Sequence, residues 1–70
     1  MPKLYSSEQI LKTLQKRGFV FVSQKGSHVK LRRYGVQTLM VVVPAGRKEM
    51  PRGTFHSILR QSQLSEEDFL

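Results

Sequence analysis

Seventy residues make one domain near the lower size limit for a self-sufficient core, burying roughly 60% of the unfolded chain's surface, and exclude a large multi-domain enzyme. Twelve Lys/Arg against five Asp/Glu give a net charge of +7, a balance that points to a polyanionic partner, nucleic acid first. The lack of cysteine excludes disulfides, thiolate metal sites and cysteine nucleophiles and fits a reducing cytoplasm.

The opening Met1-Pro2-Lys3-Leu4-Tyr5-Ser6 has no apolar run of the signal-peptide kind. The longest apolar stretch, 39–43, falls far short of the ~20 residues of a membrane span. The expectation is a soluble, cytoplasmic protein with no membrane contact, organised as one domain over 1–70.

Ser6-Ser7-Glu8-Gln9 reads as a helix start, with the Ser6 hydroxyl capping the Gln9 amide, the Gln9 side chain reaching back, and Tyr5 stapling onto Ile10. Ile10, Leu11 and Leu14 share one face at helical spacing, and Gly18 supplies a left-handed stop after Arg17. The first helix is therefore predicted over 7–17. Phe19-Val20-Phe21-Val22 has strand chemistry, and Lys25-Gly26 turns the chain into a second strand over 27–34. In that strand Val29 and Leu31 share one side, while His28, Lys30 and Arg32 share the other.

Gly35 turns the chain again, and 38–43 is a third strand ending at Pro44. Being nearly all apolar, it is expected to be central or covered on both faces. Residues 44–51 read as a mobile, basic connector. From Arg52 the pattern is helical, with Phe55, Ile58, Leu59 and Ser62 as the buried stripe and Arg52, His56 and Arg60 on one flank. Ser65 is a plausible cap for a last turn through Glu66, Glu67 and Asp68. The fold class is α+β: a single small domain of αβββα order, with a three-stranded antiparallel sheet packed on two helices.

Any chemistry is expected in a shallow surface groove, because little stability is left over for an elaborate buried site. The stretch Lys25-Gly26-Ser27-His28 offers what metal-free RNA cleavage requires. The imidazole can move protons near neutral pH, Gly26 admits a phosphate close to the backbone, Ser27 can donate to a phosphate oxygen, and Lys25 or Lys30 can carry the charge term. From spacing alone, a solvated or phosphate-touching surface histidine is the commoner case. His56 reads as a helix-surface residue. Two histidines about thirty residues apart do not make a metal site, and one glycine is not a phosphate loop; no cofactor is implied.

The Gly18-Phe19 helix end, Gln24-Lys25-Gly26-Ser27-His28, the Val42-Val43-Pro44 strand end, Gly53-Thr54-Phe55, Ile58-Leu59-Arg60-Gln61 and Leu64-Ser65 together resemble the HicA (YcfA-like) family of mRNA-interferase toxins over nearly the whole chain. The resemblance implies a double-stranded-RNA-binding-domain-like fold, endonucleolytic mRNA cleavage as a hydrolase of a toxin-antitoxin system acting in the stress response, and inhibition by a HicB antitoxin. It places the catalytic histidine on His28, with Gly26 and Ser27 as its motif neighbours. Many relatives carry a second histidine shortly after the strand-three proline, where this chain has Ala45-Gly46. They commonly have Arg or Lys at the place of His56, and Ala-Gly at the place of Ser62-Gln63.

The main expectation is thus a metal-independent endoribonuclease with His28 catalytic and Lys25, Gly26 and Ser27 in support. Lys25, Lys30, Arg32, Arg33, Arg47, Lys48, Arg52 and Arg60 are the expected RNA-phosphate contacts, which carry affinity but little sequence information. A non-catalytic module that recognises duplex RNA by shape is the alternative, and a DNA-binding or purely partner-binding adaptor is a third.

Overall fold

The computed structural model describes residues 4–70; Met1, Pro2 and Lys3, part of the segment read for a signal peptide, lie outside them. The chain runs through α1 (Ser7–Lys16), β1 (Val20–Lys25), β2 (His28–Arg33), β3 (Leu39–Pro44), α2 (Arg52–Ser62) and a 3-10 helix at Glu66–Phe69. The αβββα order is the expected one. All three strands are antiparallel in the order β1-β2-β3, so β2 is the central strand.

α1 forms where its local chemistry predicts. Gln9 N–H donates to Ser6 Oγ at 3.2 Å, and Ser6 N–H donates back to Gln9 Oε1 at 2.9 Å, a complete capping box. The helix stops in a Schellman motif: Gly18 adopts φ +96°, its N–H donates to the Gln15 carbonyl, and Phe19 N–H donates to the Leu14 carbonyl at 3.0 Å. That geometry turns Phe19 into the core beside Leu14, both buried. The first strand therefore starts at Val20 and continues to Lys25, past the 19–22 apolar run. Tyr5 is buried as well, with its ring 5.3 Å from Phe55 and 6.0 Å from Phe69.

The core lies between one face of the sheet and the two helices: Val29, Leu31, Val41 and Val43 from the strands meet Ile10, Leu14, Phe55 and Ile58. α2 packs chiefly on β3, while α1 touches β1 and β3. Phe69 closes the assembly edge-on to Phe55 at 5.1 Å.

Two expectations are corrected. β3 is an edge strand with a single covered face: Leu39, Val41 and Val43 are buried, whereas Met40 and Val42 are about two-fifths exposed. The apolar residues of its open face are not held under a second layer. Part of its free edge is satisfied by α2, since Val42 N–H donates to Gln61 Oε1 at 3.0 Å and the Gln61 amide donates to Ser57 Oγ at 3.0 Å, which protects an edge that would otherwise invite pairing.

The connector 44–51 is tied down rather than loose. Ser7 Oγ donates to the Pro44 carbonyl at 2.7 Å and accepts from Arg47 N–H at 2.9 Å, while Ser7 N–H donates to the Arg47 carbonyl. Met50 N–H donates to the Tyr5 carbonyl at 2.7 Å, and its side chain is buried.

Candidate functional site

The β1–β2 hairpin sets the candidate site. Lys25 and His28 are cross-strand partners, leaving Gly26 and Ser27 as a two-residue turn. Gly26 has φ +60°, and Ser27 is not in the positive-φ region, the pattern of a type II′ turn with glycine first. An added Cβ at Gly26 would meet nothing within 4 Å, so glycine is used here for its backbone and leaves the turn open to an approaching group.

Strand register then distributes the side chains. Val29 and Leu31 face the helices, so His28, Lys30 and Arg32 face the open side. Alternate residues on a strand are about 7 Å apart, which makes a row of one imidazole and two cations. Lys25 and Ser23 flank it on β1, and Pro44, Val42 and Met40 flank it on β3, each being the cross-strand partner of a row member. His28 is exposed, and its ring has no hydrogen-bond or ion-pair partner among the described residues. No carboxylate occurs in the sequence between Glu8 and Glu49, so the sheet carries none.

The loop after β3 borders the same end of the sheet. Pro44 is the register partner of His28, and Ala45 N–H donates to the Ser27 carbonyl at 2.6 Å. Ala45-Gly46 thus stands beside the hairpin turn. Gly46, Arg47 and Lys48 line a shallow recess with Ser6, Ser7 and Glu8, and Arg47 and Lys48 are exposed, at the His28 end of the molecule.

Three of the expected phosphate contacts lie elsewhere. Arg33 shares its side of β2 with Val29 and Leu31; its guanidinium lies 5.2 Å from the Phe19 ring centroid and donates to the Arg17 carbonyl at 3.4 Å. Arg52 and Arg60 sit on α2, against the opposite face of the sheet. Arg52 is committed to Glu66 through two hydrogen bonds of 3.2 and 3.0 Å, with His56 Nε2 3.3 Å from its Nη2. The Arg52 hydrogen bond, followed by its charge, holds the Glu66 carboxyl below the usual carboxylate range. The Ser65 backbone N–H, 2.9 Å from the Asp68 carboxylate, does the same for Asp68, with the Arg17 charge adding to it. His56 is on this far side, exposed beside Arg52 as its spacing predicts.

Sequence reasoning passed over Tyr34. It follows β2, is 66% exposed, and its hydroxyl accepts from Arg32 Nη1 at 3.2 Å, which puts it on the open face with the row. Its even position, in step with His28, Lys30 and Arg32, was the available signal. Arg32 Nε is enclosed and has no hydrogen-bond partner.

Among the described residues, no three His, Asp or Glu side chains gather as a metal site, and no helix is long and apolar enough to cross a membrane. The family model for the HicA toxin of bacterial toxin-antitoxin systems matches residues 7–64, well over half of the chain. The chain belongs to the HicA toxin family. The match takes in both helices and all three strands, with His28 and its turn inside it. As a HicA-family toxin, the protein is one half of a toxin-antitoxin system and has an antitoxin as its partner. No curated protein matches the chain.

Proposed function

We propose that this HicA-family toxin is a metal-independent endoribonuclease that cuts mRNA at His28, arrests translation and growth, and is silenced by a HicB antitoxin. The observation that carries the reading is the unpartnered His28 imidazole, exposed on a carboxylate-free face between Lys25 and Lys30 and next to a glycine turn.

That arrangement suits transesterification. His28 takes the proton of the 2′-hydroxyl, whose oxygen attacks the adjacent phosphorus; the P–O5′ bond then breaks, leaving a 2′,3′-cyclic phosphate and a 5′-hydroxyl. Lys25 and Lys30 offset the charge that builds on the phosphorane, the open turn at Gly26 lets the phosphate approach the backbone, and the Ser27 hydroxyl donates to it. The departing 5′-oxygen needs a proton, and with Ala45-Gly46 beside the turn and His56 on the opposite side of the molecule, Lys25, Ser27, water or the newly protonated His28 must deliver it. Arg32, Arg47 and Lys48 extend the cationic path on which RNA is held. An antitoxin with an acidic surface covering the His28 end would occlude this path.

The test is the chemistry of the ends. Purified protein incubated with RNA in excess chelator should still cut, leaving cyclic-phosphate and 5′-hydroxyl termini. Cleavage that requires added magnesium, or that leaves 5′-phosphates, would reject the proposal.

A further inference from the structure

We infer that Tyr34 is a stacking platform for an unpaired base, so that the strand held on the open sheet face is single-stranded RNA, with Tyr34 gripping a nucleotide a few positions from the one cut at His28. This rests on the proposed reading of the face as an RNA path and specifies the substrate that path takes.

Tyr34 is two-thirds exposed, an amphipathic aromatic of the kind enriched where a partner is met. Arg32 fixes it there. Nη1 donates to the hydroxyl at 3.2 Å and Cζ lies over the ring, 5.8 Å from its centroid, so the guanidinium holds one side of the ring, and the exposure of the residue leaves the other for a base. The hydroxyl, having accepted from arginine, keeps its own proton to donate. An aromatic face beside a cation is the combination that binds single strands, with the ring taking the base and the cation the phosphate.

Position along the strand agrees. Six residue steps of chain lead from His28 to Tyr34, about 20 Å when extended, with Lys30 and Arg32 between them on the same side. A backbone laid from His28 to Tyr34 therefore crosses cations throughout and meets no carboxylate. Duplex RNA cannot use the ring, because its bases are stacked on one another. The charge of the row favours RNA over an apolar protein segment as the occupant of Tyr34.

The experiment uses His28→Ala protein, expected to hold RNA without cutting it, and a random-sequence single-stranded RNA oligonucleotide alongside a blunt RNA duplex. Adding Tyr34→Ala should weaken single-strand binding about 5- to 150-fold, the worth of one stacked base, and leave duplex binding within about twofold. Tyr34→Phe, which keeps the ring, should stay close to the parent. Equal single-strand affinity for the Tyr34→Ala protein, or an equal loss on duplex, would overturn the inference. So would intact RNA binding with weakened antitoxin binding, which would assign the ring to a protein contact. Should His28→Ala still cut, the catalytic reading fails, while the affinity comparison, made on a non-cleavable 2′-deoxy strand, still decides Tyr34.

Discussion

Replacing Ser7 by alanine tests how far the candidate site depends on a distant tie. Ser7 is buried, and its hydroxyl donates to Pro44 and accepts from Arg47, fastening the start of α1 to the loop beside His28. Alanine keeps the helix and the Ser7 backbone bond to Arg47 but removes both side-chain bonds. At about 1 kcal/mol each they total ~2 kcal/mol, and the better helix propensity of alanine returns up to about 0.5 kcal/mol. The net loss is about 1.5 kcal/mol. In a domain of this size that lowers the melting temperature by about 6–12 °C. Urea and thermal unfolding of the purified variant measure it directly. RNA cleavage should fall as well, because Ala45, held against Ser27, lies in the freed loop. A loss below about 0.5 kcal/mol, the range of ordinary surface changes, would show that the tie contributes little to stability and that the loop is held by other contacts.

Two further outcomes follow from local geometry. Gln63 ends α2 at φ +59°, where a side chain is strained, so Gln63→Gly should stabilise the protein by about 0.5–1 kcal/mol, the relief of strain outweighing the extra freedom glycine gives the unfolded chain; calorimetry checks the sign. Glu66 and Asp68 both titrate lower folded than unfolded. Their stabilisation is therefore complete above the ordinary carboxylate range and is lost as pH falls through their depressed folded values. Glu66→Gln should flatten the acid side of a plot of melting temperature against pH, and an unchanged slope would remove the Arg52 pair from the account.

Much of this fold is legible locally. The Ser6–Gln9 box, the Gly18 stop and the alternation of Val29 and Leu31 with His28, Lys30 and Arg32 are short-range signals, and α1 and β2 stand within a residue of where they put them, whereas β1 runs three residues past its apolar run. The misreadings are non-local. An apolar run such as 39–43 reads alike whether one face or two are covered, and only the pairing order shows that β2 lies in the middle. The Ser7 tie spans 37 and 40 residues, so nothing near 44–51 announces that this loop is pinned.

The site divides in the same way. Strand parity alone puts His28, Lys30 and Arg32 together, and would have set Arg33 apart with Val29 and Leu31. The pairing of Arg52 with Glu66 crosses 14 residues and withdraws an arginine that spacing alone leaves free. Tyr34 lay within the predicted strand 27–34 and shares the parity of His28, Lys30 and Arg32; it was passed over because it belongs to no motif.

The central claim is that the exposed imidazole performs the chemistry. Its most direct test is the rate at which purified His28→Ala protein cleaves RNA, measured beside circular dichroism and RNA affinity. The side chain is exposed, so fold and binding should persist while cleavage falls about 10²- to 10⁴-fold, the usual contribution of a positioned acid–base group, and induced expression should no longer arrest growth. A folded His28→Ala protein that cuts RNA at the wild-type rate would contradict the account.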